Sequence, residues 1–399
     1  MAEAMNKPLL MIPGPVDSPD EVLRRCGLPV FPHYEGDFPA FFDRLVTKMA
    51  GIFGLGDGLV FIPNGSGTTA VDMMLASLCT PDDSVLLIHN GSFGDYAERN
   101  LSDLGIPYIN VYAPWGSTVD PDRVRLEMKK NHHTFIYLTH NESTTAVLNP
   151  IPPIGEIARE FDVLLLVDSV SGVGGVVIDM DDAGADVVAG ASQKCLELPP
   201  GLAPVAVGRR AWEHMEKMKH RRVPYVLDFM RWRKAFSEMH DIHPQLQTGS
   251  TTLLYALDWV ADRIGEEGLE NRQERFRAAG ERLKSGMAEL GFFPSADSAC
   301  ASPVVTDFLM PDGIPSRTIR TFYMERFNTM VGNGVITDSS GEIISFRVAH
   351  FGRPAEIERI DHMIEITRKF IKEYGGKTAN MQAQRILKDP PCPSGIPPY

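Results

Sequence analysis

The sequence has little cysteine and no long apolar run. Its five cysteines form no CxxC pair and are odd in number, which indicates reduced thiols and excludes a disulfide framework or a zinc site: Cys26, Cys79, Cys195, Cys300 and Cys392. No uninterrupted apolar run approaches the roughly 20 residues that span a bilayer. The first residues, MAEAMNKPLLMIPGP, lack the basic and apolar regions of a signal peptide. We therefore expect a soluble, cytoplasmic protein with no membrane partner.

Basic residues are also in the minority. The chain holds 39 lysines and arginines against 52 aspartates and glutamates, which gives a formal net charge of −13. Because an acidic surface repels phosphate backbones, nucleic acid is not expected as a partner. Of the 399 residues, 43% are hydrophobic and 23% are charged. This balance is ordinary for a globular chain and excludes disorder as its main state.

Short apolar runs alternate with amphipathic ones from about residue 55 to 210. GLVFIPN precedes TTAVDMMLASL, SVLLIHN precedes YAERNLSDLG, and the alternation continues through TFIYLTH, VLLLVDS and ADVVAGAS. Strands that alternate with helices predict right-handed crossovers and an α/β fold with a mainly parallel sheet covered on both faces. In such sheets the functional groups collect at the carboxyl ends of the strands.

The pattern changes after this region. Residues 208–250 are basic, aromatic and poorly periodic, and a long helix is predicted from near Thr251. The later elements are a strand in SPVVTDFLMPDG, a helix near SRTIRTFYMERF, a strand in EIISFRVAHFG and a final helix, which predict a smaller C-terminal α+β domain. We divide the chain into an N-terminal arm (1–20), a large domain (21–267), a small domain (268–375) and a Pro-rich tail (376–399).

Asp168 and Lys194 are the strongest chemical signal in the sequence. Asp168 ends the apolar strand VLLLVDS, where an unpaired carboxylate is costly to bury, and Lys194 follows the next apolar strand in GASQKCLELPPG. An amine and a carboxylate at neighbouring strand ends suit pyridoxal phosphate. The amine attaches the cofactor covalently, and the carboxylate keeps the pyridine nitrogen protonated. Taken singly, such residues are more often a helix cap and a solvated turn lysine.

The segment NGSGTTAVDMML is a second signal. Ser66, Gly67 and Thr68 lie between an apolar strand and an amphipathic helix. Small residues let the backbone approach an anion, and a helix N-terminus offers free N–H groups to a phosphate. The segment matches neither the dinucleotide motif GxGxxG nor the P-loop. By itself it is also typical of an ordinary helix cap, but beside Asp168 and Lys194 it favours a phosphate site.

In these motifs the chain resembles the class V aminotransferases of fold type I, in particular the alanine–glyoxylate and serine–glyoxylate branch. The matching blocks are GSGTTA, NGSFG, THNESTTAVLNPI, VDSVSGVGG, SQKCLELPPGLA and FRVAHFG. Together with PGPVDSP near the start, they extend over nearly the whole chain outside the tail. The resemblance implies a fold type I transferase with pyridoxal 5′-phosphate as cofactor.

The resemblance also implies roles for individual residues. Lys194 would bind the cofactor as a Schiff base and shuttle the substrate proton, with Gln193 beside it near the phosphate. Asp168 would pair with the pyridine nitrogen, and Val170 would pack on one face of the ring. Phe93, in NGSFG, would stack on the other face, although it is equally consistent with an ordinary core phenylalanine.

The remaining roles concern the phosphate, the ring oxygen and the substrate. Ser66, Gly67 and Thr68 would hold the phosphate, and Thr144 would contact the 3-oxygen of the ring. Thr248, in QTGSTT, matches a residue that reaches the phosphate from the partner subunit, which implies a homodimer with active sites at the subunit interface. Gln245 departs from the family, which often has tyrosine there, but its amide can also donate to the phosphate. Arg347 matches the arginine that binds the substrate α-carboxylate, for which its planar fork is suited.

These assignments predict a transaminase that moves an amino group from a small amino acid, such as alanine or serine, to glyoxylate or pyruvate. The chain has HYEGDFPAF near residue 35, where glyoxylate-using members usually carry HR-x-P-x-F. A transaminase of a phosphonate, a sulfonate or another specialised amine is therefore an alternative, with a different anion site near residues 33–37.

Two other classes of function stay open. A lyase or desulfurase on the same fold would use Cys300, whose SACAS context resembles the cysteine desulfurase loop, although the following strand matches the glyoxylate branch. A protein that binds the cofactor without turnover is opposed by the presence of Lys194, Asp168 and Arg347 together. No metal site is expected, because the histidines show no ligand spacing.

Overall fold

A computed structural model of the chain describes residues 7–34, 36–218, 222–311 and 313–374. The predicted Pro-rich tail and the first six residues of the predicted arm lie outside these ranges. The strands are β1 (Leu9–Met11), β2 (Gly58–Phe61), β3 (Asn64–Gly65), β4 (Val85–His89), β5 (Tyr108–Tyr112), β6 (Phe135–Thr139), β7 (Asn141–Glu142), β8 (Val147–Leu148), β9 (Leu164–Asp168), β10 (Val187–Ala189), β11 (Gly201–Leu202), β12 (Val205–Gly208), β13 (Val305–Leu309), β14 (Thr329–Asn333) and β15 (Ser345–Ala349).

The helices cover these strands and connect them. They are α1 (Asp20–Cys26), α2 (Phe38–Phe53), α3 (Gly67–Leu78), α4 (Ser92–Asp103), α5 (Pro121–Lys130), α6 (Pro152–Glu160), α7 (Met180–Ala183), α8 (Arg209–Lys217), α9 (Phe229–Glu238), α10 (Thr251–Glu267), α11 (Leu269–Ala288), α12 (Ser316–Phe327) and α13 (Ile357–Tyr374). No described helix is long and apolar enough to cross a bilayer.

A seven-stranded sheet forms the centre of the large domain. Its strand order is β2-β12-β10-β9-β6-β4-β5, and the pairs from β10 to β5 are all parallel. Only β12 runs against its neighbours. The middle strands β4, β6 and β9 are wholly buried, as their continuous apolar runs require when helices cover both faces. The predicted mainly parallel α/β sheet is confirmed.

Alternate residues of each central strand belong to different cores. On β9, Leu165 and Val167 pack into the core that contains α2 and α10, whereas Leu164 and Leu166 pack into the core that contains α3 and α8. This follows from the period of two along a strand, which sends successive side chains to opposite faces. The sheet is thereby held between two apolar layers, and its strand ends have fixed positions.

The second sheet has the order β1-β14-β15-β13 and is mostly antiparallel. Its first strand comes from the segment that the sequence predicts as an N-terminal arm, because Leu9–Met11 pairs in parallel with Thr329–Val331. Helices α11 and α13 pack on each other beside this sheet and contribute to its apolar core. We keep the division at residues 267 and 268, where Gly268 separates α10 from α11, as a proposal.

Candidate active site

A cavity of about 520 Å³ lies where the strand ends of the large sheet face β14, β15 and the segment that follows β1. Its walls come from parts of the chain that are far apart in sequence: residues 12–15, 66–68, 71, 93, 96, 143, 168, 170, 193–194, 200, 320, 330–333 and 347. Nine of the predicted site residues line it: Ser66, Gly67, Thr68, Phe93, Asp168, Val170, Gln193, Lys194 and Arg347. Thr144, Gln245 and Thr248 are outside the described lining.

Lys194 lies partly buried in the turn after β10. Its Nζ donates a hydrogen bond of 2.7 Å to the carbonyl oxygen of Pro13. Burial, with a further contribution from the nearby positive charge of Arg347, lowers the pKa of the Lys194 amine to about 8. A Cβ on Gly14 would lie 2.5 Å from this Nζ, and the φ of Gly14 is +143°, so only glycine suits this contact. The amine is thus available as a neutral base near pH 8.

Asp168 is the last residue of β9 and is buried. Its Oδ1 accepts a 3.0 Å hydrogen bond from the backbone N–H of Val170, and Oδ2 accepts a longer one, 3.4 Å, from the Tyr137 hydroxyl. Burial raises the pKa of the Asp168 carboxyl to about 6. A cationic partner in the cavity would reverse this shift, because an opposite charge favours the ionised carboxylate.

Ser66, Gly67 and Thr68 lie where α3 begins. Ser66 is the N-cap, and Gly67 and Thr68 are the first two helical residues, whose backbone N–H groups have no partner within the helix. The hydroxyls of Ser66 and Thr68 are 2.7 Å apart. A Cβ on Gly67 would lie 2.4 Å from Cγ1 of Val170, so the close packing of α3 on the strand end requires glycine. The result is a cradle of donors suited to an anion.

Two further predicted residues face the cavity near this cradle. Phe93 is held by its backbone N–H, which donates a 3.0 Å hydrogen bond to Oε2 of buried Glu142. Oε1 of Gln193 is buried and has no partner in the described structure. An unpartnered buried polar atom is costly unless a ligand or water satisfies it, so Gln193 also indicates a ligand.

Thr144 is not directed to the cavity. Its hydroxyl donates a 2.5 Å hydrogen bond to Oε1 of Glu142 and accepts one of 3.0 Å from the backbone N–H of Ser92. The neighbouring Ser143 lines the cavity instead, and its buried hydroxyl has no partner among the described residues. The sequence analysis missed Ser143, since the block ESTTA offers three adjacent hydroxyls and no local signal says which one faces inward.

Gln245 and Thr248 lie on the loop before α10. Gln245 is buried, and neither atom of its side-chain amide has a partner in the described structure. Thr248 is exposed, and its carbonyl oxygen accepts a 2.6 Å hydrogen bond from Asn64 Nδ2. Asn64 also accepts from the N–H of Ser250 through Oδ1, at 3.0 Å, and thereby ties this loop to the strand before α3.

Arg347 lies on β15 with its side chain in the cavity wall. Its Nε donates 2.6 Å to the carbonyl oxygen of Asn333, and Nη1 donates 3.1 Å to that of Ser143. These bonds use two of its five N–H groups and orient the guanidinium. Burial lowers the pKa of Arg347, although the guanidinium stays charged. Asp307, its register partner on β13, is buried, and burial raises its pKa to about 7.

The residues on which the desulfurase and the specialised-amine alternatives depend lie outside the described lining of the cavity. Cys300 is partly buried and does not belong to the described lining of the cavity; its Sγ lies 3.5 Å from the carbonyl oxygen of Gly116, and burial raises the pKa of the thiol. The described residues of segment 33–37 are also outside the lining, and the His33 ring instead packs on His243, with centroids 4.9 Å apart. Neither feature supports a desulfurase or a second anion site near residue 35.

One group of side chains has metal-like spacing despite the expectation from sequence. His89, Asp95 and Glu98 bring ligand atoms within 4.8 Å of one another, at the end of β4 and on α4. Nε2 of His89 is 2.9 Å from Oδ1 of Asp95, as in an ordinary histidine–aspartate pair. The group lies outside the described cavity lining.

Comparison with known sequences identifies the family. The model of the family "Aminotransferase class-V" matches residues 48–339. An uncharacterised aminotransferase of Methanocaldococcus jannaschii is 33% identical over 353 residues, which are 88% of this chain and 90% of that protein. The alanine–glyoxylate aminotransferase of Rattus norvegicus is 29% identical over 380 residues, or 93% of this chain and 90% of the relative.

A solved structure gives the same result. The crystal structure of an alanine–glyoxylate aminotransferase from Nostoc sp. matches with a TM-score of 0.87 and 26% identity, over 93% of this chain and 97% of that one. The fold is therefore fold type I of the pyridoxal-phosphate enzymes, with pyridoxal 5′-phosphate as cofactor. The chain belongs to the class V aminotransferases, and it transfers an amino group to a 2-oxo acid. The resemblance found in the sequence motifs is confirmed.

Proposed function

We propose that the enzyme transfers an amino group between a small amino acid, such as alanine or serine, and glyoxylate or pyruvate, and that the reaction takes place in the 520 Å³ cavity. The observation that carries this proposal is that Lys194, Asp168 and Arg347 line one cavity together with the donor cradle at the start of α3. When bound, the cofactor supplies an electron sink for the bond that breaks at Cα.

The buried polar groups match the parts of the cofactor. The backbone N–H groups of Gly67 and Thr68, the Ser66 hydroxyl and the Nε2 donor of Gln193 would hold the phosphate. Asp168 would accept from the protonated ring nitrogen. Ser143, whose hydroxyl has no described partner, would donate to the ring 3-oxygen, the role that the resemblance had given to Thr144. Val170 and Phe93, which also line the cavity, would pack on the ring.

Lys194 acts twice. Its Nζ would hold the cofactor covalently. The same amine, whose pKa is about 8 in the protein without cofactor, would also take up and return the Cα proton of the substrate, as general base and then as general acid. An unshifted lysine would be almost fully protonated at neutral pH and would be a poor base.

Arg347 selects the bond that breaks. Two of its N–H groups are fixed on Asn333 and Ser143, and the others bind the α-carboxylate as a planar fork. Holding the carboxylate in one place would orient the Cα–H bond toward Lys194, which lines the same cavity and would remove the proton. Loss of the α-carboxylate contact therefore weakens both binding and turnover.

We further propose a cytoplasmic homodimer. Thr248 is exposed on a loop tied to the strand that leads into the phosphate cradle, so it is available to the active site of a second copy. Nearby Gln245 has a buried amide without a described partner, which the phosphate of that site would satisfy. The described cysteines are all unpaired, as in a reducing compartment: Cys26, Cys79, Cys195 and Cys300.

An absorbance scan of the purified holoenzyme with single amino donors and no acceptor tests this function. Alanine or serine is expected to bleach the band of the lysine-bound cofactor to that of pyridoxamine phosphate, and pyruvate or glyoxylate is expected to restore it. Lys194→Ala should lose the band, whereas exposed Lys217→Ala should keep it. A band that persists while ammonia, sulfide or carbon dioxide is released would identify a lyase instead.

A further inference from the structure

Arg320 is a second arginine in the wall of the same cavity, and the sequence analysis did not single it out. It lies on α12, and its Nη1 donates a 2.8 Å hydrogen bond to Oδ1 of Asn333. Its Nε is buried and has no hydrogen-bond partner among the described residues. Because an unsatisfied buried donor on a charged group is costly, the fold holds Arg320 in a position that lacks an acceptor.

Arg320 and Arg347 are anchored on the same residue. Arg347 donates to the backbone oxygen of Asn333 and Arg320 to its side-chain oxygen. Since both acceptor oxygens belong to one asparagine, the size of that residue limits the distance between Nε of Arg347 and Nη1 of Arg320 to about 10 Å. One small molecule can contact both guanidinium groups.

Asp307 and Glu142 lie near enough to Arg347 to favour its charged form. No described carboxylate does so for Arg320. Neither Arg320 nor Arg347 forms an ion pair with a described residue, and Asp168 is the only acidic residue in the described lining of the cavity. Two like charges in partly buried positions repel each other unless an anion lies between or beside them. The cavity thus offers more positive charge than a single α-carboxylate requires.

We propose that the site also accepts, besides the small amino acids above, an amino acid with a second anionic group, whose α-carboxylate binds Arg347 and whose side-chain anion binds Arg320. The proposal rests on the transaminase function above. The amino acid exchanges its α-amino group and Cα hydrogen for a carbonyl oxygen from water and leaves as the corresponding 2-oxo acid. The second half-reaction gives the nitrogen to the acceptor and returns the water, so no external oxidant is needed.

The space beside Arg320 suits such a side chain. A smaller cavity of about 230 Å³ adjoins the main one and shares Arg320, Met330 and Val331 with it. A substrate whose α-carboxylate is on Arg347 can therefore extend its side chain toward Arg320 without displacing the residues around Lys194. Aspartate, glutamate, O-phosphoserine and cysteate share this chemistry and differ in the length and kind of the anion.

The test compares donors in the wild-type holoenzyme and in Arg320→Gln. For each enzyme, kcat/KM is measured for the four dianionic amino acids and for alanine, with the same acceptor. The ratio for the best dianionic donor over alanine is expected to fall about a hundredfold in Arg320→Gln, as for a charge pair that loses one partner. The panel also ranks carboxylate against phosphate and sulfonate.

Arg326→Gln is the matched control. Arg326 lies six residues after Arg320 on the same helix, is exposed, and is 3.2 Å from Glu373. Its substitution removes the same charge and should leave the ratio unchanged. A ratio that is also unchanged in Arg320→Gln would mean that Arg320 does not bind the side-chain anion. A ratio that falls equally in both variants would mean that the positive charges attract anions in general. Either result would overturn the proposal.

A binding measurement separates this proposal from the proposed function. Calorimetric titration of the holoenzyme with glutarate and with butyrate requires no turnover. Glutarate is expected to bind at least about tenfold more tightly, and Arg320→Gln should abolish the difference. Equal affinities would reject the second anion site even if alanine is transaminated. A glutarate preference in an enzyme that transaminates no donor would reject the function and retain the site.

Discussion

Burial acts on the two central titratable side chains in opposite directions. It raises the pKa of Asp168 to about 6 and lowers that of Lys194 to about 8, because removal from water penalises the charged form of each. The protein without cofactor therefore holds an acid and a base that are both shifted toward neutrality. In the proposed site, the cationic ring nitrogen of the cofactor would stabilise the ionised form of Asp168, so part of the cost of burying this carboxylate would be recovered on binding.

Capture of pyridoxal phosphate by the cofactor-free enzyme should depend on the pKa of Lys194. Only the neutral amine attacks the aldehyde, and the neutral fraction grows tenfold per pH unit below the pKa of about 8 and levels off above it. The association rate, followed by absorbance from pH 6 to 10, should therefore rise and then reach a plateau near pH 8.

The rate of the same reaction with Nα-acetyl-lysine, divided by the neutral fraction of its side-chain amine at each pH, gives the effect of titration of the cofactor itself. The enzyme's rates are corrected by this factor. Lys194→Ala shows which part of the absorbance change belongs to this amine. A corrected rate that continues to rise toward pH 10.5, the ordinary pKa of lysine, would contradict the shift.

The adjacent hydroxyls of Ser143 and Thr144 are expected to have different roles, the first in binding the cofactor and the second in stabilising the fold. Ser143→Ala should weaken cofactor binding about tenfold, because its unpartnered hydroxyl faces the cavity. Thr144→Ala should instead lower the free energy of unfolding by about 1–3 kcal/mol, since buried Glu142 loses a donor. Cofactor titrations and denaturant unfolding of both variants check this. The reverse pattern would restore the original assignment of Thr144.

At the scale of elements, the start of α3 combines a chemical and a packing requirement. The helix begins at Gly67, next to Val170 at the end of β9, and the absence of a Cβ there lets the backbone donors approach the cofactor site. The same close contact fixes the helix against the strand. The cradle is therefore rigid before the phosphate arrives, which reduces the ordering that binding requires.

Gly67→Ala should damage this arrangement. Its Cβ would lie 2.4 Å from Cγ1 of Val170, so α3 must move, with a cost of about 1–3 kcal/mol in stability and weaker binding of the cofactor. Gly51→Ala on α2 is the control, because nothing lies within 4 Å of its Cβ position; it should stabilise the protein by about 0.5–1 kcal/mol. Thermal unfolding with and without cofactor measures both. Equal stability of the two variants would contradict the packing argument.

At the scale of the whole molecule, the two sheets form the site between them. The large sheet supplies Asp168 and the turn with Lys194, and the small sheet supplies Arg347. The short strand β1 joins the small sheet, and the chain then passes directly over Lys194 at Pro13. Ion pairs of Asp17 with Lys7 and Arg359 further tie this segment to α13. The segment at residues 7–17 thus links the small sheet to Lys194.

The proposed dimer predicts that cofactor retention depends on protein concentration. Sedimentation velocity should give a particle with twice the mass of one chain, and dilution that dissociates it should release the cofactor. Thr248→Val should weaken cofactor binding about tenfold, whereas Thr47→Val, exposed on α2, should not. A monomer that keeps its cofactor on dilution, or equal behaviour of the two variants, would reject a site shared between subunits.

Local patterns predicted much of the fold. The central strands were recognisable because continuous apolar runs are compatible only with burial on both faces, and α10 begins at Thr251, where the periodic pattern starts. The pattern failed in residues 208–250, which contain α8 and α9. There, Trp212, Phe229 and Trp232 are buried against α3 and its neighbours. The two helices are amphipathic over their own 9 and 10 residues, but such short stretches do not stand out from the basic and aromatic residues around them, and tertiary contacts stabilise them.

The sequence by itself determined the fold class, the cofactor and nine of the residues that line the cavity, because motif order and residue chemistry are properties of the chain. Only the tertiary structure decided which of Ser143 and Thr144 faces the cavity, that β1 joins the small sheet, and that Arg320 lies beside Arg347. These facts depend on side-chain direction and on pairing between segments hundreds of residues apart. Such features are set by the packing of the whole molecule, which no local pattern encodes.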